Sequence, residues 1–219
     1  DEILVKMAKE NPTADDFGDY KAANDVESQV VKFIKPELKK GDFKKFYDEL
    51  KDGIKYYDTQ VKYHLNVDFD PRKDSVGDDY ANSNERYYGN NNVKGPDAEH
   101  GTHVAGIVGA IRSNDLGIKG VADNVKIMAI RTVPDGDERD KDVANSIRYA
   151  VDNGAKILNM SFGKAYAWDK KVVDEAVKYA SSKGVLLVHA AGNDGKNTEK
   201  EDNFPTRLYT DSTGVVMGT

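Results

Sequence analysis

The chain has 219 residues, 38% of them hydrophobic and 32% charged, a formal net charge of −6 and no cysteine. That length suits one full domain, or one domain with a helical appendage, with a polar surface around a globular core. A net negative chain without a basic stripe excludes nucleic acid and anionic membranes as expected partners. No run approaches the roughly 20 apolar residues of a membrane span, and no disulfide framework or thiolate chemistry is available.

The N-terminus, Asp1-Glu2-Ile3-Leu4-Val5-Lys6, shows no signal peptide and no initiator methionine, as expected of a trimmed product or of a piece of a longer protein. Residues 1–65 are rich in Lys, Asp, Glu and Tyr and read as a helical insertion. A first apolar stripe runs through Val26, Val30 and Ile34, with Pro36 expected to end it. Gly41-Asp42 opens a second helix, in which Phe43, Phe46, Tyr47, Leu50, Ile54, Tyr57 and Val61 recur at three- or four-residue spacing. Nothing in this hairpin points to chemistry. Residues 66–98 form a loop-rich linker, dense in turn formers such as Asp68-Phe69-Asp70-Pro71, Gly89-Asn90-Asn91-Asn92 and Gly95-Pro96-Asp97.

From His100 the pattern alternates, and residues 99–219 read as an α/β domain. A small-residue helix is expected over 102–112 and a strand over Val125–Arg131. A helix over 141–153 is closed by Asn153-Gly154, and a strand follows over Ile157–Ser161. A helix over 170–183 and a third strand over Val185–Ala191 complete the series. Strands separated by helices imply a parallel sheet with helices on its faces. Ligands of such sheets bind at the carboxyl ends of the strands, where Ser161-Phe162-Gly163 and Gly192-Asn193-Asp194-Gly195 fall.

Three elements could carry chemistry. His100 lies between an acidic loop and an apolar helix with Gly101 beside it, the setting of an aimed imidazole that a substrate backbone can approach; the plain alternative is a capping or core histidine. His103 shares its helical face, but a zinc-peptidase pair needs a glutamate after the first histidine and a spacing of four, so His103 is expected to pack inward and no metal is assigned. Asn193 follows an apolar strand and two small residues, so its amide can serve either a developing oxyanion or an ordinary turn. Ser161 lacks the Gly-x-Ser-x-Gly elbow of a nucleophile; with Phe162 and Gly163 it presents backbone to which an extended peptide can add.

Taken together, Glu99-His100-Gly101-Thr102-His103-Val104-Ala105-Gly106, Gly120-Val121-Ala122, Ile157-Leu158-Asn159-Met160-Ser161-Phe162-Gly163 and Ala190-Ala191-Gly192-Asn193-Asp194-Gly195 resemble the subtilisin-like serine proteases in order and spacing. The resemblance covers about residues 93–200. It implies an incomplete subtilisin-like α/β fold behind the N-terminal helical insertion, and a serine endopeptidase acting on peptide or protein substrates. It further implies His100 as general base, Asn193 as oxyanion donor, and Ser161, Phe162 and Gly163 as the substrate-binding edge. A secreted or cell-envelope location follows from the same resemblance.

The match has two gaps. The family aspartate ends a buried strand upstream of the histidine, and no Asp in residues 1–98 has that setting; Asp68 and Asp70 sit in a turn, and Asp97 and Glu99 are too close in sequence. The family serine lies in Gly-Thr-Ser-Met-Ala, which the closing Val216-Met217-Gly218-Thr219 does not complete, and Ser212 reads as a turn residue. The expected consequence is a fragment inactive by itself, the aspartate and serine lying outside it. A non-catalytic peptide-binding module that keeps the cleft is the alternative. No cofactor is expected; calcium is the one ion the resemblance raises, at Arg112–Gly117 or at Asp74, Asp78 and Asp79. Exposed sheet edges predict self-association.

Overall fold

The computed structural model describes residues 2–134 and 136–211, the side chains of His64 and Asp74 excepted. Ser212 and the closing Val216–Thr219 lie outside the described residues. The chain divides into two compact units, Asp1–Phe69 and Asp70–Thr219.

The first unit holds α1 (Glu2–Met7), α2 (Ala14–Asp19), α3 (Asp25–Leu38) and α4 (Phe43–Thr59), the last running into a π-helical turn, Gln60–His64. Side chains satisfy the free amides at three of the helix starts: Thr13 and Asp16 form a capping box on α2, Asn24 caps α3, and Asp42 caps α4. Pro36 does not end the first stripe; it sits inside α3, where only two residues follow it and few carbonyls lose a donor. The core is small. Phe17 stacks on Phe43 at 6.3 Å between ring centres, and Phe33 meets Phe46 at 6.2 Å. The α4 stripe is covered only at its start: Phe43 is buried, while Ile54, Tyr57 and Val61 are exposed.

The second unit holds α5 (Glu99–Gly109), α6 (Asp140–Asp152), β1 (Ile157–Met160), α7 (Lys170–Ser182) and β2 (Leu186–His189). Strands β1 and β2 pair in parallel, Ile157 opposite Leu186 and Met160 opposite His189, so α7 is the crossover of a β-α-β unit. This is an incomplete subtilisin-like α/β fold. Helix α6 starts with Asp140 and Asp142 in its first turn, where the helix dipole favours anions, and ends at Gly154 with φ +88°. Asp169 caps α7 by accepting from the Val172 amide, and Gly184 closes it with φ +70°.

The apolar stripes of both helices converge on one face of the sheet. Val143, Ala144, Ile147 and Ala150 of α6 and Val172, Val173, Ala176, Val177 and Ala180 of α7 cluster with Leu158, Met160 and Leu187. Ala144, Ala176 and Ala180 are fully buried, and their small side chains let the elements approach closely. Each larger aliphatic side chain in this cluster contributes roughly 1.5–3 kcal/mol. The other face carries Ile157 and Leu186, both exposed.

Two expectations change here. Val125–Arg131 forms no ladder among the described residues, because no neighbouring strand lies beside it; Val125, Ile127 and Met128 stay exposed while Ile130 packs against the core. The histidine helix begins three residues earlier than its apolar pattern, at Glu99, because the Asp97 carboxylate accepts from the Glu99 amide and starts the turn.

Residues 70–98 have one regular piece, a π-helical turn at Arg72–Val76, and a charge network binds this segment to α6. Arg72 donates to both Asp142 oxygens, at 2.7 and 3.0 Å, and to Asp78 at 2.6 Å. Lys141 donates to Asp78 at 2.7 Å, Glu85 at 2.8 Å and the Asp79 carbonyl. The Tyr88 hydroxyl donates to Asp142 at 2.6 Å, with its ring beneath both cations. Burial opposes ionisation of Asp78, but hydrogen bonds from Arg72 and Lys141 outweigh it and hold the carboxyl below its ordinary range.

Candidate functional site

Parallel pairing sets the carboxyl ends of β1 and β2 side by side, joined by the Ala190 amide donating to the Met160 carbonyl at 3.1 Å. Ser161-Phe162-Gly163 therefore leaves β1 directly beside the chain that leads from β2 into Gly192 and Asn193. Gly192 takes φ +89° and Gly195 φ +68°, turning the chain sharply about Asn193, whose exposed amide has no partner among the described residues.

Side chains from elsewhere brace this edge. His189 Nε2 lies 2.7 Å from the Phe162 carbonyl, and Asn203 donates to the Ala190 carbonyl at 2.9 Å. The Asn203 amide also occupies the space a side chain at Gly163 would need; a Cβ there would lie 2.3 Å from Asn203 Oδ1. The Phe204 amide donates to the Lys164 carbonyl at 2.9 Å. Lys164 Nζ in turn reaches the Glu138 carbonyl at 2.8 Å and Asp140 at 2.7 Å. Asp140 is further held by the amides of Trp168 and Asp169. Glu138 is buried with Oε1 unpartnered, and burial pushes its carboxyl up.

Ser161 Oγ accepts from Asn159 Nδ2 at 2.8 Å, and no base among the described residues touches it. A nucleophile would have to give its proton to an acceptor, and an amide N–H cannot take one.

His100 stands on the first turn of α5, exposed and without a hydrogen-bond or ion-pair partner among the described residues. His103, expected to pack inward, is also exposed, because none of the described residues covers that side of the helix. The helix is held from its other end. Gly120, Val121 and Ala122 donate their amides to the carbonyls of Ala110, Ile107 and Val108, at 3.1, 2.9 and 2.9 Å, satisfying groups that a helix end leaves open. Gly120 must be glycine, since a Cβ there would meet the Ala110 nitrogen at 2.3 Å. No hydrogen bond, ion pair or ring contact among the described residues joins His100 to the β1 and β2 ends.

Of the groups raised for calcium, the Asp74 side chain lies outside the described residues. Asp78 is committed to Arg72 and Lys141, and in the exposed 112–117 loop Asn114 Oδ1 accepts from the Leu116 amide. Among the described residues no group of three His, Asp or Glu side chains is arranged to hold a metal.

His189, Lys164 and Asn203 are missed by sequence reasoning. Only His189 leaves a signal, a polar residue in the buried phase of the Val185, Leu187, His189 alternation.

Residues 40–216 match the subtilase family of peptidases. The chain is 43% identical over 103 residues to the thermophilic serine proteinase of Bacillus sp. strain AK1, covering 47% of this chain and 25% of that protein. It is 40% identical over 118 residues to thermitase of Thermoactinomyces vulgaris, covering 53% and 40%. The minor extracellular protease Vpr of Bacillus subtilis is 30% identical over 213 residues, 90% of this chain and 22% of that one. The chain thus spans less than half the length of each of these relatives. No solved structure gives a significant match.

Proposed function

The chain belongs to the subtilase family, and from that premise we propose that it supplies the general base, the oxyanion donor and the peptide-binding edge of a serine endopeptidase. In this reading His100 takes the proton of a serine hydroxyl as the hydroxyl attacks a peptide carbonyl, then gives it to the leaving amine. Asn193 donates its side-chain amide to the oxyanion of the tetrahedral intermediate. Ser161, Phe162 and Gly163 receive the substrate as an added strand.

The observation that carries this reading is the side-by-side placement of the Ser161–Gly163 edge and the Asn193 turn at the carboxyl ends of two parallel strands. Two roles are unfilled by the described residues: none of them gives His100 a carboxylate to fix its tautomer, and none gives Ser161 a base. The chain alone is therefore inactive as a peptidase, and the aspartate and serine come from elsewhere in the protease. The names of its relatives, one of them an extracellular protease, support export from the cell. The described residues include no helix long and apolar enough to cross a membrane. The exposed edges of the two-stranded sheet support self-association of the isolated chain.

The test is kinetic, in the longest protease that carries this segment. Asn193→Ala is expected to lower kcat by about 10²–10³ with KM nearly unchanged. His100→Ala is expected to cost more, since it removes proton transfer altogether. A protein that binds peptide yet shows no turnover for His100→Ala to remove would be the non-catalytic binding module instead.

A further inference from the structure

His189 closes β2 on the buried face of the sheet, 7% exposed, with its ring edge-on to Phe162 at 6.2 Å between centres. A carbonyl oxygen can only accept, so the 2.7 Å contact to Phe162 requires a proton on Nε2. Burial makes the ring less basic, with the Phe162 carbonyl opposing it only in part, and no charged group among the described residues acts on it. At neutral pH the ring is therefore neutral and a fixed donor.

The backbone alternation of β1 gives this bond its consequence. The carbonyls of Lys156 and Met160 face β2 and accept from Leu186 and Ala190. Phe162 is the next residue in that phase, at the level where the β2 backbone has turned away, and the His189 side chain takes the place of a ladder amide. Ser161 and Gly163, in the other phase, form no backbone hydrogen bond among the described residues.

We infer that His189 is a positioning residue for substrate binding: by holding the Phe162 carbonyl on the β2 side, it keeps the N–H and C=O groups of Ser161 and Gly163 turned to the open side, where an extended peptide adds. The inference rests on the protease-cleft reading of this edge. Without the donor, the Phe162 peptide groups are free to rotate, and the alternating row that a peptide must match is no longer fixed before binding.

The experiment uses the whole 219-residue chain. Ring nitrogen spectra of ¹⁵N-histidine-labelled protein at neutral pH are expected to show His189 as the Nε2–H tautomer. Fluorescence anisotropy with fluorescein-labelled β-casein, a disordered polypeptide, then compares His189→Leu, which lacks a donor, with His189→Gln, which keeps one. His189→Leu is expected to bind about 10-fold more weakly, and His189→Gln within about 2-fold of wild type. Equal binding by wild type and His189→Leu, or a ring protonated on Nδ1 alone, overturns the inference and leaves the cleft standing. A wild-type chain that does not bind casein overturns the cleft reading and the inference together. If His189→Leu does not fold, the wild-type ring spectrum and the His189→Gln affinity decide.

Discussion

Ile107 of α5 and Ile147 of α6 are the same residue on helices of similar length, yet Ile107 is 45% exposed and Ile147 2%. Helix α6 is apolar on one face and polar on the other, so a single partner layer, α7 with the two strands, covers all it needs to bury. The second half of helix α5 carries Val104, Ala105, Ile107 and Val108 with only Gly106 and Gly109 between them, so these turns have no polar face, and the 120–127 segment covers one side only. A helix apolar all round is built to be enclosed. The difference bears on the proposed function: the Ser161–Gly163 edge and the Asn193 turn are fixed by a core that the described residues form, whereas the helix that carries His100 is not.

Mutations can sharpen that contrast. The largest expected effect is in the core of the β-α-β unit, where Leu187→Ala should destabilise the fold by about 3 kcal/mol in a urea titration. Asp78→Asn comes next. It leaves Arg72 and Lys141 buried beside a neutral amide, and a loss of about 2–3 kcal/mol is expected by the same titration. A loss as small as that of an exposed ion pair would mean that the 70–98 segment is not held to α6 by this network.

Glu138 gives a pH-dependent effect of opposite sign. Because burial raises its folded-state value, wild-type stability is intact below the ordinary glutamate range and declines as pH rises through the raised value. Glu138→Gln removes the titration, so the variant should match wild type near about pH 4 and exceed it at about pH 7 in thermal melts. Two curves that run parallel across this interval would remove the assignment. The smallest effect is expected on α5, where Ile107→Ala should change stability by no more than about 0.5 kcal/mol. A cost near that of Leu187→Ala would erase the contrast between the two regions.

The regular half of the domain was legible because its signals are local. Helices α6 and α7 follow from apolar spacing and glycine stops, and β1 and β2 from short apolar runs between them; their order places Ser161–Gly163 and Asn193 at neighbouring strand ends. The Val125–Arg131 run carries the same local signal, but a strand exists only through its neighbours, and the described residues put none beside it. Pro36 and the early start of α5 turn on one or two hydrogen bonds that a periodicity does not register. The charges of residues 70–98 read as a solvated loop, since nothing local tells that Arg72 meets Asp142 and Asp78 meets Lys141, more than sixty residues away. Lys164 and Asn203 brace the edge through contacts of the same long-range kind.

The central proposal is a protease site present in part, with base, oxyanion donor and peptide edge but no activated nucleophile. Incubating the whole chain with a fluorophosphonate probe and locating any adduct by mass spectrometry tests it most directly. The expected result is no stoichiometric label on any serine. Stoichiometric modification of Ser161, or of any other serine, abolished by His100→Ala, would contradict it.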